Sequence, residues 1–122
     1  MIRAYLCLPL RGDVAANVQT AKSLATELAH RGLAVFAPHL LYPQFLDDDD
    51  LDERDLGIRS ALAFLPACNL VWAYVGHGVS EGMSRELAEA ASKNIPVVRQ
   101  RHLIDLETPL RAATALLTEG SA

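Results

Sequence analysis

Residues 69–99 read "NLVWAYVGHGVSEGMSRELAEAASKNIPVVR", and the order of pieces within them decides the fold. The run "NLVWAYV" (69–75) is almost wholly apolar, the pattern of a strand buried on both faces. Three glycines and a serine then punctuate the chain at 76–82. "EGMSRELAEAASKN" (81–94) has helical character, and "IPVVR" (95–99) is a second short apolar run. A strand, a turn, a helix and another strand in succession form a crossover unit. Such connections are right-handed and leave the two strands parallel.

The same alternation extends toward the N-terminus. "IRAYLCL" (2–8) reads as a strand closed by Pro9, which cannot donate to a sheet ladder. From Asp13 to Arg31, apolar Val14, Val18, Ala21, Leu24, Ala25 and Leu28 recur at helical spacing, with Gly32 as a C-cap. "LAVFA" (33–37) is a second strand stopped by Pro38. The stretch "PHLLYPQFLDDDD" (38–50), with two prolines, four acids and no periodicity, reads as a loop. Helical spacing returns over 52–65 through Leu56, Ile58, Leu62 and Leu65, and a closing helix is expected over 107–118. The chain therefore predicts a single α/β domain over 1–122. Its architecture is a three-layer α/β/α sandwich of flavodoxin-like or Rossmann-like type, with a parallel sheet of four strands, or five if the tail adds one.

Composition narrows the function. The 122 residues carry a formal charge of −4, which argues against a nucleic-acid polymer as partner. A small anion remains compatible, because it needs only one or two cations and some backbone amides. Cys7 and Cys68 form no close pair and read as reduced thiols in a cytoplasmic protein. No apolar run reaches membrane length, and the N-terminal one is too short for a signal peptide. The acids Asp47 to Asp50 lack the spacing of a calcium loop and read as a solvated turn. No metal or cofactor is expected.

In an open parallel sheet, ligands bind beyond the carboxyl ends of the strands. That singles out "PLRGD" (9–13), "PHLLYPQ" (38–44) and "GHGVSEGM" (76–83). Gly76, Gly78 and Gly82 let backbone approach a ligand closely. Ser80 stands at a helix N-cap, where it either simply caps or joins the free amides behind it in holding a phosphate or carboxylate. Glu86 lies about one turn further in. Taken alone it reads as an exposed helix acid like Glu89. The glycine pattern is not that of a dinucleotide fold, and no P-loop lysine follows it.

The segment "ERDLGIRSALAFLPACNLVWAYVGHGVSEGMSRELAEAASKNIPVV", preceded by "APHLLYPQFLDDDD", resembles the DUF4406 group, also split off as DUF7768. That group is similar to the nucleoside 2-deoxyribosyltransferase superfamily, and the likeness runs from Tyr5 to about Val98. It implies a nucleoside 2-deoxyribosyltransferase-like fold and an N-glycosidic-bond enzyme acting on nucleosides or nucleoside 5'-monophosphates, as hydrolase or transferase. A nucleotide-binding module without catalysis on the same fold is the alternative. In the superfamily's 2'-deoxynucleoside 5'-phosphate N-hydrolases, a serine is followed six residues later by the catalytic glutamate, as Ser80 and Glu86 are here. A strand-end tyrosine followed by an arginine and a glycine is matched by Tyr5, Arg11 and Gly12. The resemblance thus implies Glu86 as nucleophile, Arg11, Gly12, Ser80 and the helix amides as an anion site, and Tyr5 as a partner of sugar or glutamate. As a residue, Tyr5 also reads simply as core.

Two features depart from that pattern. The superfamily's aspartate on the helix before the central strand falls here on Ala61, so either one of Asp52, Glu53 and Asp55 supplies the acid, Asp55 being the one assigned, or the acid is missing. Met83 places a bulky group in the glycine turn. His39 and His77, each following a strand, are further candidates to contact substrate and protonate a leaving base. Trp72 and Phe45 are possible stacking residues, Trp72 reading rather as core. By the same resemblance a homodimer or higher homo-oligomer is expected, and Leu41, Tyr42 and Phe45 read as its contact residues because so apolar a loop calls for cover.

Overall fold

The computed structural model describes residues 1–120. Four strands, β1 (Ile2–Cys7), β2 (Leu33–Phe36), β3 (Leu70–Tyr74) and β4 (Val97–Gln100), form one sheet. Its order is β2-β1-β3-β4 and every pair is parallel. The chain first steps from β1 to β2 on one side, then crosses to lay β3 on the other. Strand order therefore reverses between β1 and β3, and a crevice opens beyond their carboxyl ends. Among the described residues no fifth strand forms, and 121–122 lie outside them.

The helices are α1 (Val14–His30), α2 (Pro38–Leu41), α3 (Leu51–Phe64), α4 (Glu81–Ser92) and α5 (Glu107–Gly120). Strand alternation sorts the core into two layers. Ala4 and Leu6 of β1 and Leu70, Trp72 and Tyr74 of β3 pack with Leu24 and Leu28 of α1 and Ala113 of α5. Tyr5, Cys7, Val71 and Ala73 point to the opposite face, where Ala61 of α3 and Met83 and Ala90 of α4 meet them. Register places Tyr5 beside Val71 and Cys7 beside Ala73, so this second face continues across both central strands. Trp72 is fully buried, as expected of core, and its indole N–H donates to Gln100 Oε1 at 2.9 Å.

Local chemistry explains where the helices begin. Asp13 caps α1 by accepting from the Ala16 amide at 3.1 Å, and Ser80 caps α4 by accepting from the Met83 amide at 3.2 Å. Asn17, nine-tenths buried on α1, donates to the carbonyls of Leu10 and Arg11, both at 3.0 Å, and fixes the turn after β1.

The stretch 38–50 differs from the plain loop expected. Pro38 ends β2 and also opens α2, where its missing N–H is no loss. A 3-10 turn follows over Tyr42–Gln44. The acidic run is the exposed turn expected, and two of its acids also have structural partners. Asp50 caps α3 through the Asp52 and Glu53 amides, and Asp48 faces Arg11. No helix among the described residues is long and apolar enough to cross a membrane.

Candidate active site

At the switch point, β1 and α4 bring three side chains into contact. Tyr5 and Cys7 stand two residues apart on one strand and so share a face. On α4, Met83, Glu86 and Ala90 are the buried stripe. Glu86 is only 4% exposed. The Tyr5 hydroxyl donates to its Oε2, and Cys7 Sγ lies 3.5 Å from its Oε1. Each carboxylate oxygen thus has its own donor.

Burial dominates the electrostatics of this trio. It pushes the Glu86 carboxyl up from 4.5 to about 7, against the hydrogen bonds from Tyr5 and Cys7 that favour its ionised form. Burial and the neighbouring carboxylate push the Tyr5 hydroxyl and the Cys7 thiol well above their ordinary values, so both remain protonated donors. A carboxyl poised near neutrality with fixed donors is an arrangement suited to chemistry.

Glu86 forms part of the wall of a mostly apolar cleft. α3 supplies Arg54, Gly57, Ile58 and Ala61 at helical spacing, with Glu53 beside them. α4 adds Ser80 at its cap and Gly82 one turn before Glu86. Leu10 and Arg11 come from the turn after β1, and Pro38, His39, Tyr42 and Asp48 from the segment after β2. Arg11 Nη1 donates to the Asp48 carbonyl at 3.1 Å and lies 3.6 Å from its carboxylate, which ties the acidic turn to the turn after β1, both in the cleft lining. His39 is half-buried, and desolvation lowers its pKa despite the Asp48 charge and a hydrogen bond with the Leu8 backbone.

Several residues singled out in the sequence therefore come together. Arg11, His39, Ser80, Gly82 and Glu86 line the cleft, and Tyr5, fully buried, stands behind it in contact with Glu86. Gly12 and Gly78 adopt φ of 100° and 88°, left-handed turns that favour glycine, and neither is among the residues that line the cleft. Met83 does not crowd the glycine turn, because its side chain is fully buried in the layer with Tyr5 and Cys7.

Others fall elsewhere. Asp55 is absent from the Glu86 cleft. Its carboxylate takes hydrogen bonds from Arg59 at 2.7 Å and Arg85 at 3.3 Å, which hold it below the usual carboxylate range. An acid held ionised in this way is a poor proton donor, and Glu53 is the acid of that helix that faces the cleft. His77 stacks edge-on against Tyr74, with ring centroids 5.2 Å apart, over a separate surface hollow. Tyr74 belongs to the α1/α5 layer, so His77 is on the far side of the sheet from Glu86. Phe45 is 63% exposed and packs on Tyr42 rather than lining the cleft. Cys7 went unassigned in the sequence, although its two-residue spacing from Tyr5 was a readable signal. No group of three or more His, Cys, Asp or Glu among the described residues could hold a metal ion.

Solved structures with the same fold include a 2-deoxyribosyltransferase from the psychrotolerant bacterium Bacillus psychrosaccharolyticus, 16% identical at a TM-score of 0.65, over 80% of this chain and 70% of that one. A conserved protein from Enterococcus faecalis V583 is 21% identical at 0.61, over 81% of this chain and 62% of the other. A 2-desoxiribosyltransferase from Leishmania mexicana is 13% identical at 0.56, over 81% and 63%. The chain thus spans less than two thirds of the length of the latter two. These likenesses establish the fold. No curated protein matches the chain. Residues 3–100 match the family described as Domain of unknown function (DUF7768), and on that match the chain belongs to this family.

Proposed function

We propose that the protein cleaves or exchanges the N-glycosidic bond of nucleosides or nucleoside 5'-monophosphates, with Glu86 as nucleophile. The observation that carries this reading is the Glu86 carboxyl itself: buried at the strand-order switch, held by Tyr5, and set in the wall of a cleft. A deoxyribose lacks the 2'-hydroxyl, which eases the oxocarbenium-like transition state. One Glu86 oxygen bonds to C1' as the C1'–N bond breaks, and its electron pair leaves with the base, which takes up a proton. Water, or a second base, then attacks C1' and frees the carboxylate, giving hydrolysis or transfer.

The surrounding residues fit roles in that scheme. Burial raises the Glu86 carboxyl to about 7, so its ionised form, the nucleophile, is accessible near neutral pH. Glu53 and His39 face the same cleft and are the groups placed to supply the proton for the leaving base. Ser80 and the free amides of α4 favour an anion, and Arg11 is exposed enough to exchange its Asp48 contact for a substrate phosphate. A homodimer using the exposed Leu41 and Phe45 beside Tyr42 belongs to the same proposal.

One observation favours a second reading, a binding module without catalysis. Where the resemblance implies an aspartate, buried Ala61 lines the cleft, so the acid of that pattern is missing at its own position and Glu53 is the only carboxyl that α3 adds to the cleft lining among the described residues. The test is to incubate the protein with deoxynucleosides and their 5'-monophosphates, with and without an acceptor base, and quantify free and exchanged base. Release or exchange that disappears in Glu86→Gln supports the enzyme. Thermal stabilisation by a nucleotide with no release from any substrate supports the binding module.

A further inference from the structure

Tyr5 accounts for one oxygen of the Glu86 carboxylate, and the other oxygen faces a thiol. Cys7 is fully buried, free of any disulfide, and its Sγ stands 3.5 Å from Oε1. We propose that Cys7 is a positioning residue for Glu86: its S–H donates to Oε1 while Tyr5 holds Oε2, and the two donors together fix the plane of the carboxylate. This rests on the reading of Glu86 as the reacting group.

The geometry follows from the sheet. Tyr5 and Cys7 project from the same face of β1, about two residue rises apart, which roughly matches the reach across one carboxylate and its contacts. β1 is central and paired on both sides, so neither donor can drift. Burial keeps the thiol protonated, hence a donor and not a competing nucleophile.

The choice of sulfur has a chemical consequence. A hydroxyl at this position would bond more strongly to the ionised form and quench the carboxylate's basicity. The thiol is a weak donor, so it restrains rotation while leaving the oxygen reactive. Two donors of unequal strength thus orient Glu86 without draining it.

Other groups around the trio act from further away. Across the cleft α3 presents Glu53 and Arg54, α2 presents His39, and Arg11 and Asp48 also line it. Arg99 of β4 acts electrostatically on the Cys7 thiol, and Cys68 on Tyr5. Among the described residues, Tyr5 and Cys7 are the two that hydrogen-bond the Glu86 carboxylate.

The experiment compares Cys7→Ala and Cys7→Ser with the parent by two readouts. One is the carbon NMR titration of Glu86 in protein labelled at glutamate carboxyls, with Glu86→Gln for assignment. The other is the pH dependence of base release. Removing the donor disfavours the ionised carboxylate, so Cys7→Ala moves the Glu86 midpoint and the acid limb of the rate upward. Below that limb the rate falls about threefold to tenfold with KM little changed. Cys7→Ser, a stronger donor of similar shape, moves both downward. A packing role alone predicts no such opposition.

Midpoints that stay put in both variants, or move the same way, overturn the proposal. The titration needs no turnover. Absence of base release from the parent therefore counts against the enzymatic reading, while the Cys7 contact is decided by NMR. If Cys7→Ala does not fold, the downward movement in Cys7→Ser still decides it.

Discussion

Replacing Glu86 with glutamine changes stability in a way that depends on pH and can be calculated from the site. Burial raises the folded-state value of this carboxyl from 4.5 to about 7. A group whose folded value lies above its unfolded one binds its proton more tightly in the native state. The stabilisation is fully present below 4.5 and is lost as pH rises through about 7. The difference, 7 − 4.5 = 2.5, corresponds to about 3 kcal/mol at 1.36 kcal/mol each. Glutamine keeps a carbonyl oxygen for the Tyr5 hydroxyl and carries no charge, so Glu86→Gln removes the titration with little change of shape. Urea unfolding of both proteins between about pH 4.5 and about pH 8 measures this. The variant gains on the parent by about 3 kcal/mol across that range, the parent being the one whose stability declines. A stability gap constant to within about 0.5 kcal/mol would refute the claim that Glu86 is buried with a raised pKa.

Three further substitutions separate the parts of the site. Tyr5→Phe removes the donor to Oε2. Base release near neutrality falls about 10- to 100-fold, and the acid limb of its pH profile moves up, because the ionised carboxylate has lost a hydrogen bond. An unchanged profile would mean that Tyr5 is only core. Asp55→Asn breaks exposed, solvent-screened pairs with Arg59 and Arg85, so the unfolding midpoint barely moves and base release stays within about threefold. Collapse of activity would restore Asp55 as the acid. Gly76→Ala puts a methyl group against the Tyr74 hydroxyl and 2.8 Å from the Arg101 carbonyl oxygen, which is backbone and cannot step aside. Thermal or urea unfolding reports a loss of about 1–3 kcal/mol, and wild-type stability would remove steric necessity as the reason for that glycine.

The fold was legible because buried parallel strands and amphipathic helices have different periods, and "NLVWAYV" and the helix behind it show the change directly. α2 was not, since four residues carry no period and Pro38 reads equally as the end of a strand or the start of a helix. Ser80, Glu86, Tyr5 and Arg11 were singled out through spacing shared with a family; Arg11, Ser80 and Glu86 line one cleft, and Tyr5 touches Glu86 from the sheet. Asp55 shows where a count along the chain stops helping. It is six residues from Ala61, about 120° away around α3, whereas Arg54, Gly57 and Ile58 are seven, four and three residues away, within about 60°, and share its face. Applying the helical angle would have separated them. His77 went astray because the residues just after a strand can lead to either face of the sheet, and its ring follows Tyr74. Cys7 read as an inert core thiol, since its meaning depends on what α4 lays against it.

Mass spectrometry of the acid-quenched protein during turnover of a 2'-deoxynucleoside tests the central claim most directly. If Glu86 attacks C1', a fraction of the protein carries the mass of a deoxyribosyl group, peptide mapping places it on Glu86, and Glu86→Gln neither forms the adduct nor releases base. Base release with no adduct on Glu86, or release that survives in Glu86→Gln, would contradict it.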